Sequence, residues 1–443
     1  MNNKRYKDDI VKNQLQLKLS YDSGLAYSNG DYKKVKELTK EYEKHLYSKD
    51  FHYGVACYDL ASAYGDLAKH FDEYKENSII EKRLFLFREA IKYFTHNKIE
   101  LNTFHIELLY ANYANALYST SRILSACYYY RKILDINPYF YMAVGNYGSL
   151  LSELAYLAYI SKEEYKYLNS FAYKMCNSAY EADDFQIDAM PGTRSFFKGV
   201  VDEYSRDLHF YRIIQNDIQF PVVPVDDDRY ADWCLTNHLY INIENEINVK
   251  NYYFAADRTY IPNIKNIYKE MFNQLVEEFC YDRHNLYLLS CENINDYNSS
   301  IRNVFLGLYS IIDRVAFFIN SFFNLKIEHK EANGNRVFNC NEYKKLMKCN
   351  KMLEALHYSY QEFDKDFGDS SKPYNKDLYY LRNAFEHRYV FIEKRSKKNI
   401  KIKTESGYIR LGSDVMYKHT LNLMLIIREM ILCLKYAVII KNH

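Results

Sequence analysis

A chain of 443 residues is long enough for two or three domains, each with a sizeable core. Its formal charge of +2 creates no global field that would call for nucleic acid, so any basic surface must be local. Six prolines and thirteen glycines argue against a turn-rich β architecture, and nine scattered cysteines without a Cys-x-x-Cys pair or zinc spacing argue against a disulfide framework or a zinc cage.

The thiols read as reduced and mostly buried, which suits a cytoplasmic protein, and the polar N-terminus from Met1 to Asp9 lacks the apolar run of a secretory signal. Forty-eight tyrosines against one tryptophan fit the residue bias of an AT-rich genome, and no function is read from them.

Helical hairpins fill the first part of the chain. Ser23 to Val35 carries helix-turn-helix wording around Asn29-Gly30-Asp31, and Tyr58 to Tyr64 opens a second hairpin. The partner helix of that second hairpin comes late, around Glu89 to Phe94, so it has long arms or an insertion. Asn112-Tyr113-Ala114-Asn115-Ala116-Leu117 recurs as Asn146-Tyr147-Gly148-Ser149-Leu150-Leu151, thirty-four residues later. Counting back from Pro138 as a helix stop, Tyr110, Tyr113, Ala114, Leu117, Ala126, Tyr130 and Ile133 alternate large and small side chains at the positions expected of paired helices. This period resembles tetratricopeptide repeats, which implies an all-α helical solenoid over residues 1–185 with a groove for a protein partner. A scaffold that packs only on the rest of the chain is an equally open reading.

Three of the six prolines, Pro191, Pro221 and Pro224, fall in residues 186–229, which reads as a connector. The triplet Asp226-Asp227-Asp228 reads as a solvated linker or helix N-cap rather than a metal site, because adjacent extended residues point in alternate directions. A C-terminal domain is expected over residues 230–443, with Trp233 as a packing anchor and His238 as a structural or surface histidine. A long amphipathic helix begins near Ser299 and runs through Ile311-Ile312-Asp313-Arg314 to Phe323.

Leu381-Arg382-Asn383-Ala384-Phe385-Glu386-His387-Arg388 gathers a permanent cation, an amide and an imidazole on one helical segment. On a helical wheel Arg382, Glu386, Asn383 and His387 span about 140 degrees, while Leu378, Leu381 and Phe385 face the other way. Arg382 and Glu386, and Asn383 and His387, are each four apart, so each pair can touch. An imidazole is suited to proton transfer near neutral pH, and a guanidinium fork can grip two phosphate oxygens. These residue types can therefore cut RNA through its own 2′-hydroxyl without a metal: Arg382, Asn383 and His387 are the catalytic candidates, with Glu386 as a support that aims Arg382.

The Arg-Asn-x-x-x-His pattern resembles the signature of the HEPN superfamily, all-helical domains that include many toxin and antiviral endoribonucleases. Leu308 to Asn320 and Tyr230 to Ile243 resemble a HEPN subfamily that follows tetratricopeptide-like N-terminal regions. The resemblance implies a helical bundle, an endoribonuclease in toxin or antiphage defence, and a homodimer whose two motif helices form one composite cleft. A non-catalytic HEPN-like module that binds RNA or a nucleotide, with the repeats as adaptor, is the alternative. A third is a regulatory scaffold whose motif only stabilises a dimer. No cofactor and no metal is implied.

After the motif, Glu393 to Lys403 is a basic run in which Lys394, Arg395, Lys397, Lys398 and Lys401 are candidates to hold an RNA backbone. Ile400 to Leu411, turning at Glu405-Ser406-Gly407, reads as a short β-hairpin, and Ser413-Asp414 caps a final helix. That helix, Leu421 to Ile440, carries Arg428, Glu429 and Lys435 and reads as a buried bundle helix rather than a membrane span. His329, His357 and His419 have no partners at metal-ligand spacing, and no Gly-rich phosphate loop, G-x-S-x-G or H-E-x-x-H is present. A fragment starting near Tyr230 is expected to fold and dimerise by itself.

Overall fold

The computed structural model describes residues 14–48, 52–97, 106–160, 165–183, 192–206, 227–247, 251, 254–291, 296–363, 376–393, 403–405 and 408–442. They divide into two compact units, one reaching to Ser119 with Asp135–Asn137 added, the other starting at Thr120. Among the described residues the fold is all-α with one small sheet. The division expected at 186–229 was drawn from composition, whereas packing places the helices that follow Thr120 with the C-terminal ones.

The first unit contains helices α1 (Gln14–Ser28), α2 (Tyr32–Lys44), α3 (Tyr53–Leu67), α4 (Asn77–Asn97) and α5 (Ile106–Tyr118). Each packs on the next in sequence, as stacked hairpins require. Between α1 and α2 the chain reverses through Gly30 at φ 72°, and the Asp31 carboxylate caps α2 by accepting from Lys34 N at 3.0 Å. A 3₁₀ turn, Asp72–Lys75, fills the long arm between α3 and α4. Asp59 ties the first three helices together: its carboxylate accepts from Ser20 and from the Tyr42 hydroxyl, both at 2.7 Å.

In the second unit, α6 (Ile123–Ile136), α7 (Tyr141–Ile160), α8 (Lys166–Glu181) and α9 (Thr193–Arg206) come first. Gly145 and Gly148 on α7 leave room for the Phe197 ring and Cys176, where a Cβ would overlap. Asp227 caps α10 (Asp228–Thr236), accepting from Arg229 N and Tyr230 N at 3.0 Å each, so the acidic triplet serves there as an N-cap. Half-buried Trp233 packs beside the Tyr230 and Tyr287 rings and donates to the Tyr417 hydroxyl at 3.2 Å. Next come α11 (Asn266–Ser290), α12 (Tyr297–Phe323), the short α13 (Gly334–Asn339) and α14 (Asn341–Met347), then α15 (Lys351–Gln361), α16 (Lys376–His387) and the closing α17 (Ser413–Asn442).

α17 is the centre of this unit: nearly every residue from Leu423 to Ile439 is buried, and α11, α12, α15 and α16 pack on it. Its charges are not wasted on water. Arg428 donates to Glu246 Oε1 at 2.5 Å and to the carbonyls of Tyr240 and Asn242 at 2.7 Å each, while Arg131 of α6 pairs the other Glu246 oxygen. Glu429 accepts from Arg122 Nη2 at 2.8 Å and from the Ser125 hydroxyl at 2.7 Å, and Arg122 also pairs Glu362. Lys435 reaches the Arg258 carbonyl at 3.2 Å. Beside this network His238 hydrogen-bonds the Asn245 carbonyl at 2.7 Å, and burial pushes its imidazole down to about 3, fitting a structural role.

Between α16 and α17 lie β1 (Tyr389–Glu393), β2 (Lys403–Glu405) and β3 (Tyr408–Gly412) in the order β1-β3-β2. β2 and β3 form the expected antiparallel hairpin. β1 was not expected: it runs parallel to β3 with Val390 opposite Ile409 and Ile392 opposite Leu411. A parallel pairing has no local turn signal, and five residues carry too little alternation to announce a strand.

Candidate functional site

α16 is held by its apolar side. Leu378, Leu381, Ala384 and Phe385 are buried, and the Phe385 ring meets Phe305 of α12 at 5.6 Å. The C-terminal end of α16 is secured from outside the helix. Arg302 Nη2 donates to the Phe385 carbonyl at 2.6 Å, satisfying one of the orphan acceptors of a helix end. Arg388 N then closes on the Ala384 carbonyl at 2.7 Å before the chain enters β1. The β1 strand is fixed in turn by Asn298, which donates to the Ile392 carbonyl at 3.2 Å.

With one side anchored, the opposite edge presents the motif to solvent. Arg382 is 35% exposed in its side chain, pairs Glu386 Oε1 through Nη2 at 3.1 Å and donates through Nη1 to Asn383 Oδ1 at 3.4 Å. Its guanidinium lies over the Tyr309 ring at 5.4 Å, so a half-buried aromatic floor and a carboxylate together set the plane of the fork. Burial pushes the Tyr309 phenol up, and the Arg382 charge opposes that, so Tyr309 is a neutral floor. His387 is the most open member, 74% exposed, with Nε2 3.7 Å from Glu386 Oε2. That separation is an electrostatic contact rather than a hydrogen bond. Glu386 therefore lies between the two, one oxygen toward Arg382 and the other toward His387.

Arg382, Asn383, Glu386 and His387 thus share one edge. Asn383 meets Arg382 instead of His387; no hydrogen bond joins the amide to the imidazole in the single chain. Lys394, Arg395, Lys397, Lys398 and Lys401 lie outside the described residues. His357 is buried with Nδ1 3.2 Å from the Phe338 carbonyl, as a core histidine, and His329 lies in an exposed 3₁₀ turn. Among the described residues no group of three or more His, Cys, Asp or Glu is placed to hold a metal ion.

Sequence reasoning missed Arg302 and Tyr309, the two α12 side chains that position the motif. Their signal was present, since Arg302, Phe305 and Tyr309 fall on one stripe of α12 at spacings of three and four. It also missed that Tyr380, 43% exposed, precedes Asn383 and His387 by three and seven residues on the same side of α16. Tyr389 and Phe391 follow on β1, 75% and 49% exposed, and add open aromatic surface just past His387.

Residues 268–441 match the family model described as LA2681-like HEPN. This supports placing that part of the chain in the HEPN superfamily, a nuclease or RNA-related module. The match takes in α12, α16, the sheet and nearly all of α17, and does not extend into the helical pairs that precede it. No curated protein and no solved structure matches the chain.

Proposed function

We propose that the protein is a metal-independent endoribonuclease that works as a homodimer, with Arg382, Asn383 and His387 of both chains around one phosphate. The observation that carries this reading is the motif edge itself. It has an open imidazole and a guanidinium aimed by Glu386 and Tyr309, on a helix whose other side is locked into the core. A binding module has no need of an imidazole at that place.

Cleavage by transesterification removes the proton of the 2′-hydroxyl, forms a bond from that oxygen to phosphorus and breaks the bond to the 5′-oxygen, which must be protonated as it leaves. His387 of one chain takes the first proton, and the partner's His387 supplies the second. Arg382 of each chain grips the non-bridging oxygens, where charge accumulates in the transition state. Asn383, free to release Arg382 when phosphate arrives, offers its amide N–H to the same oxygens. Tyr380 and Tyr389 provide faces on which flanking bases can stack. The basic run Lys394–Lys401 extends the backbone contact. The helical pairs of the N-terminal part bind a protein partner and regulate the activity, in a cytoplasmic toxin or antiphage setting.

The test is a short unstructured RNA incubated with the protein in EDTA, with the product ends determined. The expected products carry 2′,3′-cyclic phosphate and 5′-hydroxyl ends. Strict dependence of the chemical step on a divalent ion, or 3′-hydroxyl ends, would overturn the mechanism. Binding without cleavage would favour a non-catalytic RNA-binding module.

A further inference from the structure

α11 and α12 pack along each other and leave a cleft of about 560 Å³ between them, within the range of small-molecule sites. It is not the motif site. Gly307, Ser310 and Arg314 of α12 line the cleft, whereas Arg302, Phe305 and Tyr309 face the motif helix. The two sets lie roughly 140 degrees apart around α12.

The cleft is acidic: Glu277, Glu278 and Asp282 of α11 line it against one cation, Arg314. Arg314 is already paired with Glu278. Asp282 is the unusual member. It is only 7% exposed, it lines the cleft, and no hydrogen bond or ion pair to it is found among the described residues. The neighbouring Arg283 points away, held by both Asp257 oxygens at 2.8 and 2.7 Å. Room for the Asp282 carboxyl is made across the cleft by Gly307, where a Cβ would overlap Asp282 Oδ2. A carboxyl buried without donors is costly in its charged form, and burial pushes Asp282 up to about 7.

From the cleft, the unpartnered Asp282 and the glycine that accommodates it, we infer that this is a binding site for a small organic cation bearing an ammonium or guanidinium group, with Asp282 as its counter-ion. An ionised carboxylate only accepts hydrogen bonds, so its complement must be a donor, and a charged one recovers the cost of ionising a buried acid. Once a cation's head group is on Asp282, the Asn303 side chain and the Ser310 hydroxyl can accept its remaining N–H groups, and Glu277 at the open edge suits the second charge of a diamine. Anions are disfavoured by three carboxylates and a single committed arginine.

The test is titration calorimetry on the full chain with putrescine and agmatine, using 1,4-butanediol as the uncharged counterpart of putrescine. We expect one saturable site per chain for at least one of the two amines, no binding of the diol, and at least tenfold weaker binding by Asp282→Asn. At about pH 6, in buffers of different ionisation enthalpy, binding should release close to one proton from wild type and none from Asp282→Asn. The groups that face Asp282 in the cleft are Glu277, Glu278, Tyr281 and Arg314, and the Asp282→Asn comparison separates the Asp282 proton from theirs. Gly307→Ala, which crowds the carboxyl but leaves every charge, should weaken binding as well and serves if Asp282→Asn fails to fold. His387→Ala should bind unchanged, so this inference and the nuclease reading fail separately. Absence of binding by both amines, or equal binding by wild type and either cleft variant, would overturn it.

Discussion

Glu246→Gln should be among the most damaging neutral-for-charged substitutions in the chain. Glu246 is fully buried with one oxygen on Arg428 and the other on Arg131, and the variant leaves two buried guanidinium groups sharing a neutral amide. The paired arginines outweigh desolvation and hold the carboxyl at about 2, against an ordinary 4.5. That gap corresponds to about 3 kcal/mol of folding stability at neutral pH, similar to the 3–5 kcal/mol typical of breaking a buried pair from one side. Because the folded value is the lower one, the contribution is complete above about 4.5 and is lost as pH falls through about 2. Urea unfolding followed by the fluorescence of the single tryptophan, Trp233, reads this directly, since Trp233 lies in the same compact unit. The expected result is a loss of about 3 kcal/mol at pH 7 that shrinks as pH is lowered below about 4.5. A loss under about 1 kcal/mol, or one that does not change with pH, would refute the claim that this carboxylate braces the core.

The buried charges also move the boundary of the self-sufficient fragment. A chain beginning at Tyr230 lacks Arg122 and Arg131 and strands Glu246, Glu362 and Glu429, so it should be unfolded by circular dichroism, whereas one beginning at Thr120 should fold and unfold cooperatively. Arg382→Lys keeps the charge but loses the fork and the stacking on Tyr309, and should lower kcat/KM on a short RNA by roughly tenfold to a hundredfold while leaving the melting temperature unchanged. If both chains contribute an imidazole, refolded mixtures of wild type and His387→Ala should lose activity as the square of the wild-type fraction; a linear fall would give each chain a complete site.

Periodicity made much of this protein legible. α12 and α16 were readable because their apolar residues recur at helical spacing, and the structure buries Leu378, Leu381 and Phe385 while exposing His387. Asp227 was readable as a cap because the cap is local. What the sequence hid is non-local. Arg122 and Glu429 are 307 residues apart, and Arg131 and Glu246 are 115 apart, so nothing in either neighbourhood marks those charges as buried. The grouping of α6 to α9 with the C-terminal helices follows in part from these pairs, and composition pointed to a later junction. At the motif, types and spacing were visible, but the partners of Arg382 were not: Tyr309 lies 73 residues earlier, and the Asn383 amide meets the guanidinium rather than the imidazole. Nothing local in the sequence marks Asp282; what sets it apart is its burial and the room that Gly307 leaves for it.

The central claim is that an imidazole on α16 performs proton transfer on RNA, and its most direct test compares wild type with His387→Ala on a short unstructured RNA in EDTA. His387 is 74% exposed and takes no part in the core, so the variant should fold like wild type. Its cleavage rate should fall by about 10² or more, the usual cost of losing a general acid or base. Wild-type cleavage with a variant of equal stability and equal activity would contradict the account.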